Sequence, residues 1–172
     1  MGWVPLPDLP MSSSLFLGTH SATIDAEGRI QLPAPLRDEL SLRQPEFRFV
    51  ATLEGDGSVC LREREHWDRW ARALVAEAPR DQQARATLLT IAAHSAPVKC
   101  DRQGRIRVPD SLLGLVGVDR RVPASREVVL VGGFEEIRLW SPPSWEAFAD
   151  RARADLGVGL DRLLGGAVQA EG

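Results

Sequence analysis

The chain has 172 residues, 44% of them hydrophobic and 26% charged, with a formal net charge of −3. That length suits one ordinary domain or two small halves sharing a core, and the composition is that of a soluble globular protein. No apolar run approaches the roughly 20 residues of a membrane-spanning helix. The two cysteines, Cys60 and Cys100, lie too far apart for a CxxC metal or redox motif and read as reduced hydrophobes in strand-like contexts.

The opening MGWVPLPDLPMSSS has no basic leader and carries Pro5, Pro7 and Pro10, so it does not read as a signal peptide, and the expected location is the cytoplasm. SATID then alternates apolar and polar residues as a strand does, AEG is a turn, RIQL resumes the extended pattern and Pro33 ends it. In APLRDEL, Leu36 and Leu40 lie four apart on one face of a short helix. FRFVATL and SVCLR read as strands joined by EGDG, whose glycines allow the positive φ of a tight turn. A longer helix follows in EREHWDRWARALVAEA. Its residues Trp67, Trp70, Ala71, Leu74, Val75 and Ala78 form an apolar stripe at helical spacing, which Pro79 terminates.

DQQARATLLTIAAHS reads as a further helix carrying Leu88, Leu89, Ile91 and Ala92, and after it the order of elements repeats. PVKCD is a strand, RQG a turn, RIRV a strand, Pro109 a stop, and SLLGLVG a short helix. EVVLVG and EIRLW pair across a GF-containing turn, and SPPSWEAFADRARA is a helix with Ser141 as N-cap and Pro142 at the first helical position. Its apolar stripe is Trp145, Phe148, Ala149 and Ala152. DAEGRIQLP from Asp25 returns as DRQGRIRVP from Asp101, 76 positions on, and Trp67 returns as Trp145, 78 positions on. The match spans the whole unit, so the chain is an internal duplication. The closing LGVGLDRLLGGAVQAEG is Gly-rich and reads as a loose tail in which Leu160, Leu163 and Leu164 offer a docking turn.

Charge is distributed unevenly. Between Pro97 and Arg126, Lys99, Arg102, Arg105, Arg107, Arg120, Arg121 and Arg126 face only Asp101, Asp110 and Asp119, a basic segment in an acidic protein. The repeated Asp-x-x-x-Arg phrase has two readings. In one, Asp and Arg form a local ion pair around a glycine turn and do nothing else. In the other, the aspartate shapes the turn and the arginine is presented on a hairpin tip, where its planar fork suits phosphate or a guanine edge. Alternation puts Arg105 and Arg107 on one strand face. Catalytic readings fail: His20, His66 and His94 lie in separate elements, no GxSxG elbow exists, and no glycine-rich phosphate loop carries its Lys and Ser.

Together LFLGTHSATIDAEGRIQLP, DRQGRIRVP, EVVLVGG and EIRLWSPPSWE resemble the MraZ family of bacterial transcriptional regulators, within the wider AbrB/SpoVT-like group, over roughly Leu15 to Arg153. The resemblance implies an α+β, β-rich fold: a duplicated swapped-hairpin barrel, an intrachain pseudo-dimer with helices after each half. The expected organisation is a disordered extension over 1–14, AbrB-like repeats over 15–78 and 97–154, a connecting helix over 79–96 and a flexible tail over 155–172. It further implies a homo-oligomeric ring, nucleoid-associated, that binds tandem repeats in promoter DNA upstream of the division and cell wall genes. No cofactor, metal, membrane or small-molecule substrate is expected. The DNA-contacting residues would be Arg29, Arg105, Arg102, Arg107 and Lys99, and the turn-shaping ones Asp25, Gly28, Asp101 and Gly104. Glu27 departs from the family, which often has a basic residue before the first glycine. A carboxylate there repels phosphate, so the first tip is expected to bind more weakly or to turn Glu27 away. The runner-up is an oligomeric protein-interaction module of the same fold without DNA binding.

Overall fold

The structure is a computed structural model that describes residues 15–41, 48–77 and 82–169. The N-terminal extension, the stop at Ala78 and Pro79, and the last three residues of the expected tail fall outside them. In the first half β1 (Thr19–Thr23), β2 (Ile30–Gln31), α1 (Ala34–Ser41), β3 (Arg48–Leu53), β4 (Val59–Glu63) and α2 (Arg64–Glu77) follow the expected order. After α3 (Gln82–Ala93), the second half repeats it as β5 (Ser95–Lys99), β6 (Arg105–Ile106), α4 (Asp110–Leu115), β7 (Glu127–Gly132), β8 (Glu136–Trp140) and α5 (Pro142–Ala154), and α6 (Leu156–Gln169) closes the chain.

The halves are interlocked by their strands. One antiparallel sheet runs β1-β7-β8-β4-β3-β5, and β2 pairs with β6 in a second. The β3–β4 hairpin of the first half is therefore flanked by β5 of the second, with Thr52 opposite Ser95 and Arg48 opposite Lys99. The β7–β8 hairpin is flanked by β1 of the first half, with Val131 opposite Thr19 and Glu127 opposite Thr23. The hairpins meet at the centre, where Cys60 lies opposite Arg138 and Arg62 opposite Glu136. Each half lends its first strand to the other, so the chain is a pseudo-dimer with a duplicated, β-rich α+β fold. It is not a closed barrel. β1 and β5 remain at opposite edges because each leaves the sheet at its Asp-x-x-x-Arg turn, and the strands beyond, β2 and β6, pair with one another instead (Ile30 opposite Ile106, Gln31 opposite Arg105).

The core lies on one face of the six-stranded sheet. Strand alternation sends Phe49, Ala51, Val59, Leu61, Ile137 and Leu139 into it. There they meet Ile30 and Ile106 of the ribbon, Leu36 and Leu40 of α1, and Leu112 and Leu113 of α4. Leu36 and Leu40 are thus buried as their spacing requires. The other sheet face carries Cys60, Arg62, Arg138 and Trp140, and the longer helices lie there, α2 on β3 and β4, and α5 on β7. α2 and α5 are half-buried rather than core helices. Trp67, Trp70, Ala71 and Leu74 are only partly covered, Val75 is 64% exposed, and no residue of α5 is fully buried. A helix on the outside of an open sheet has one packed side and no second layer above it.

Two local expectations change. Ser141 has the extended backbone of an N-cap (φ −72°, ψ 150°), but its hydroxyl donates to Ser144 Oγ at 2.9 Å instead of accepting a backbone N–H. The tail read as loose is the helix α6. Leu156, Leu160, Leu163 and Leu164 recur along one of its sides, and all four are exposed. Its glycines hide this periodicity from a propensity-based reading. No helix among the described residues is long and apolar enough to cross a membrane.

Candidate nucleic-acid interface

The two repeated turns fold alike. In each, the Asp N–H donates to the Arg carbonyl (2.9 Å in both) and the glycine N–H donates back to the Asp carbonyl, at 3.0 Å in the first and 2.9 Å in the second. The chain reverses so tightly that Gly28 and Gly104 adopt φ of +81° and +76°, the left-handed region where a Cβ is costly. Asp25 then uses both oxygens: Oδ1 accepts the Arg29 backbone N–H at 2.8 Å and Oδ2 accepts Arg29 Nε at 2.7 Å. Asp101 repeats the arrangement with Arg105 at 3.0 and 2.8 Å and also accepts the Gln103 N–H at 2.9 Å. The Arg29 backbone bond holds the Asp25 carboxyl below the usual carboxylate value against the opposing effect of burial, and the Arg29 side chain reinforces it. The backbone and side chain of Arg105 do the same to Asp101. The bond to Asp25 in turn raises the Arg29 guanidinium, against burial and with help from the charges of Asp25 and Glu27.

Each arginine is therefore fixed through Nε, the base of its fork. Its terminal nitrogens are the part left to act on a partner. Here the tips differ. Arg29 Nη2 donates to Glu27 Oε2 at 2.9 Å. Glu27 has not turned away from the tip but grips its arginine. Among the described residues, Arg105 has no carboxylate partner besides Asp101.

The tips are braced by the opposite half. Arg120 Nη1 donates to the Ala26 carbonyl at 2.8 Å while its Nε is held between both oxygens of Asp110, at 2.9 Å each. The Arg120 stem and the Arg107 Nε cover Gly28. At the second tip, Gln31 Nε2 donates to the Gln103 carbonyl at 2.9 Å, the Leu32 N–H donates to the Gly104 carbonyl at 2.9 Å, and the Arg37 stem lies over Gly104. The ribbon of β2 and β6 thus carries a basic tip at either end. Arg29, Arg107 and Arg120 gather at the first, and Arg105, Arg102 and Arg37 at the second. Arg107 is exposed as its alternation with buried Ile106 and Val108 requires, but it serves the first tip, not its own. Lys99 is exposed at the end of edge strand β5, opposite Arg48, where the chain enters the second turn.

Sequence reasoning did not assign Arg37, Gln31 or Arg120 to the site. Arg120 could be counted only as part of the basic segment. Gln31 stands in DAEGRIQLP where Arg107 stands in DRQGRIRVP, a correspondence that alignment of the repeats makes visible. The histidines are occupied locally, His20 with the Leu17 carbonyl, His94 with the Thr90 carbonyl and His66 near Glu135. Among the described residues no group of His, Cys, Asp and Glu could hold a metal ion.

The chain is a duplicated, strand-exchanged, β-rich α+β protein presenting paired Asp-x-x-x-Arg turns. The sequence model of the family described as "MraZ protein, putative antitoxin-like" matches residues 15–90 and 91–165, two consecutive repeats. The chain belongs to the MraZ family, which is one of transcriptional regulators and not of enzymes. It is 31% identical over 131 residues to the transcriptional regulator MraZ of Thioalkalivibrio sulfidiphilus, covering 76% of this chain and 83% of that one. The protein of the same name from Nocardia farcinica is 30% identical over 154 residues, 88% of this chain and 99% of the other. That from Neisseria gonorrhoeae is 34% identical over 134 residues, 77% and 84%. The two matched repeats extend past α2 and α5 into the helices that follow, so α3 and α6 close corresponding units.

Proposed function

We propose that this chain is a sequence-specific regulator of transcription that binds double-stranded DNA through its two Asp-x-x-x-Arg tips. The observation that carries this reading is that both tips fold to the same geometry and are braced by the other half. Two arginine forks are thereby ordered before any ligand arrives, which lowers the entropy cost of binding. A two-stranded ribbon fits the major groove, and arginine is suited to both phosphate and guanine. Arg29 and Arg105 make the central contacts in this reading, with Arg102 and Arg107 beside them and Lys99 further out. Asp25, Gly28, Asp101 and Gly104 set the turns.

The family resemblance supports the finer parts. The DNA is a set of tandem promoter repeats upstream of the division and cell wall genes, and the protein acts as a homo-oligomeric ring in the cytoplasm, on the nucleoid. A ring explains how an acidic chain with few contacts per subunit holds DNA: each further tip engages intramolecularly, at high effective concentration. No cofactor, membrane or small-molecule substrate enters. The test is a fluorescence-anisotropy titration of the protein against DNA upstream of its own coding sequence, beside an Arg29→Ala/Arg105→Ala double variant. The expected result is wild-type affinity that falls about tenfold or more between roughly 50 and 200 mM salt and is lost in the variant. Equal binding by both proteins would discard the tips as the contact.

A second reading, an oligomeric protein-interaction module without DNA binding, draws on the exposed leucines of α6, of which Leu163 is 74% exposed. Contiguous exposed apolar surface marks protein contacts. Oligomers in solution with no DNA binding at low salt would favour it.

A further inference from the structure

The two tips differ at one position that touches the arginine. DAEGR has Glu27 where DRQGR has Gln103. Glu27 is 63% exposed on its side chain, and its Oε2 holds Arg29 Nη2 at 2.9 Å while Asp25 holds Nε at 2.7 Å. The first guanidinium thus faces two carboxylates. The second faces one, since Gln103 enters its turn through its backbone, donating to Asp101 and accepting from Gln31.

This difference changes what each tip can accept. A backbone phosphate presents acceptors only. To reach Arg29 it must displace Glu27 or lie beside it, and like charges in contact oppose both. The edge of a base pair in the major groove is different. Every pair carries an exocyclic amino donor, cytosine N4 or adenine N6, close to acceptor atoms. Arg29 and Glu27 together present a donor and an acceptor side by side, which matches that alternation. We propose that Glu27 makes the first tip a reader of base edges that rejects bare phosphate, while the second tip, with Gln103, supplies the phosphate-driven part of the affinity. This rests on the DNA-binding reading. It assigns specificity to a residue that would otherwise count only as an obstacle to binding.

The chain contains its own control, because Glu27→Gln gives the first tip the chemistry of the second and Gln103→Glu does the converse. Both changes keep the backbone bonds of the turns. Wild type and both variants are titrated by anisotropy against the upstream duplex and against a scrambled duplex of equal length and composition, over a series of salt concentrations. In Glu27→Gln, affinity for the scrambled duplex rises about threefold to tenfold, affinity for the upstream duplex rises less, and the dependence of log K on log salt steepens by about 0.9 for each phosphate gained. Gln103→Glu lowers affinity for both duplexes and flattens that dependence. Equal gains on the two duplexes in Glu27→Gln, or no change on either, overturn the inference while leaving DNA binding in place. Failure of the wild type to bind either duplex at low salt removes the DNA-binding reading and this inference with it.

Discussion

Arg62 and Trp140 occupy the same register position in the two halves. Arg62 lies opposite Val50 in the first hairpin and Trp140 opposite Val129 in the second. Both are almost fully buried on the outer sheet face, at 6% and 2% exposed. Each is capped by an aromatic ring from the helix that follows: Arg62 lies 4.4 Å from the Trp70 ring centre, and Trp140 lies 4.8 Å from that of Phe148. A cation–π contact in one half has become an aromatic pair in the other. The duplication kept the position and changed the chemistry.

Arg62 also ties the hairpins together, donating to Glu54 at 2.7 Å and pairing with Glu136 at 2.9 Å, while Arg138 bridges Glu136 and Asp56. Removing a buried partner leaves the opposite charges without compensation. Arg62→Ala is expected to cost about 3–5 kcal/mol of stability, and Arg62→Met with Glu54→Gln considerably less than the single change. Urea unfolding monitored by tryptophan fluorescence distinguishes them, and equal costs would mean the ion pairs hold nothing.

Trp140 carries more of the second half than Trp145. Trp140 is fully buried and touches both Trp145 and Phe148, whereas Trp145 is partly open to solvent. Trp140→Ala is expected to cost about 3–5 kcal/mol, with Trp145→Ala well below it. The Trp140 indole N–H has no hydrogen-bond partner among the described residues. Trp140→Phe is therefore the mildest of the three changes, since it leaves no donor buried without a partner. Thermal denaturation gives the order directly.

Three glycines rank by what a Cβ would meet. At Gly28 it comes within 3.2 Å of the Arg120 stem, at Gly104 within 2.5 Å of the Arg37 stem, and at Gly132 it falls on the backbone of Phe16 and Leu17. The first two also carry positive φ, worth about 1–2 kcal/mol for a non-glycine residue. Gly132→Ala is expected to be the most damaging, because backbone cannot swing aside as an arginine stem can. Gly104→Ala follows and Gly28→Ala is mildest. Midpoints of chemical unfolding that invert this order would contradict the packing described for Phe16.

Acid should release the tips late. The backbone bonds from Arg29 and Arg105 hold the Asp25 and Asp101 carboxyls below the usual carboxylate range in the folded chain. A depressed carboxyl contributes stability above its unfolded value and loses it as pH falls through the folded value. The turns should stay intact from neutrality to about pH 4 and open below it. NMR shifts of the Gly28 and Gly104 amides report the opening, and Asp25→Asn with Asp101→Asn should erase its pH dependence. Opening near neutral pH would mean that the carboxylates do not hold the turns.

What the sequence determined by itself is local. The Asp-x-x-x-Arg turn is written within five residues, and its ion pair, glycine conformation and half-buried arginine follow from their spacing. The burial of Leu36 and Leu40 and the alternation of Arg105, Ile106, Arg107 and Val108 follow from helix and strand periods, and the duplication follows from the repeated phrase. The tertiary structure decided the rest. It left the sheet open where a barrel was expected, because β2 and β6 prefer each other to the edges of β1 and β5. It coiled the glycine-rich tail into α6, and it set Glu27 against Arg29 rather than away from it. It also recruited Gln31 and Arg120 to turns 72 and 94 residues distant. Such contacts have no period or spacing to betray them. They exist only because each half lends its first strand to the other, and an exchange of strands is a property of the whole chain rather than of any stretch of it.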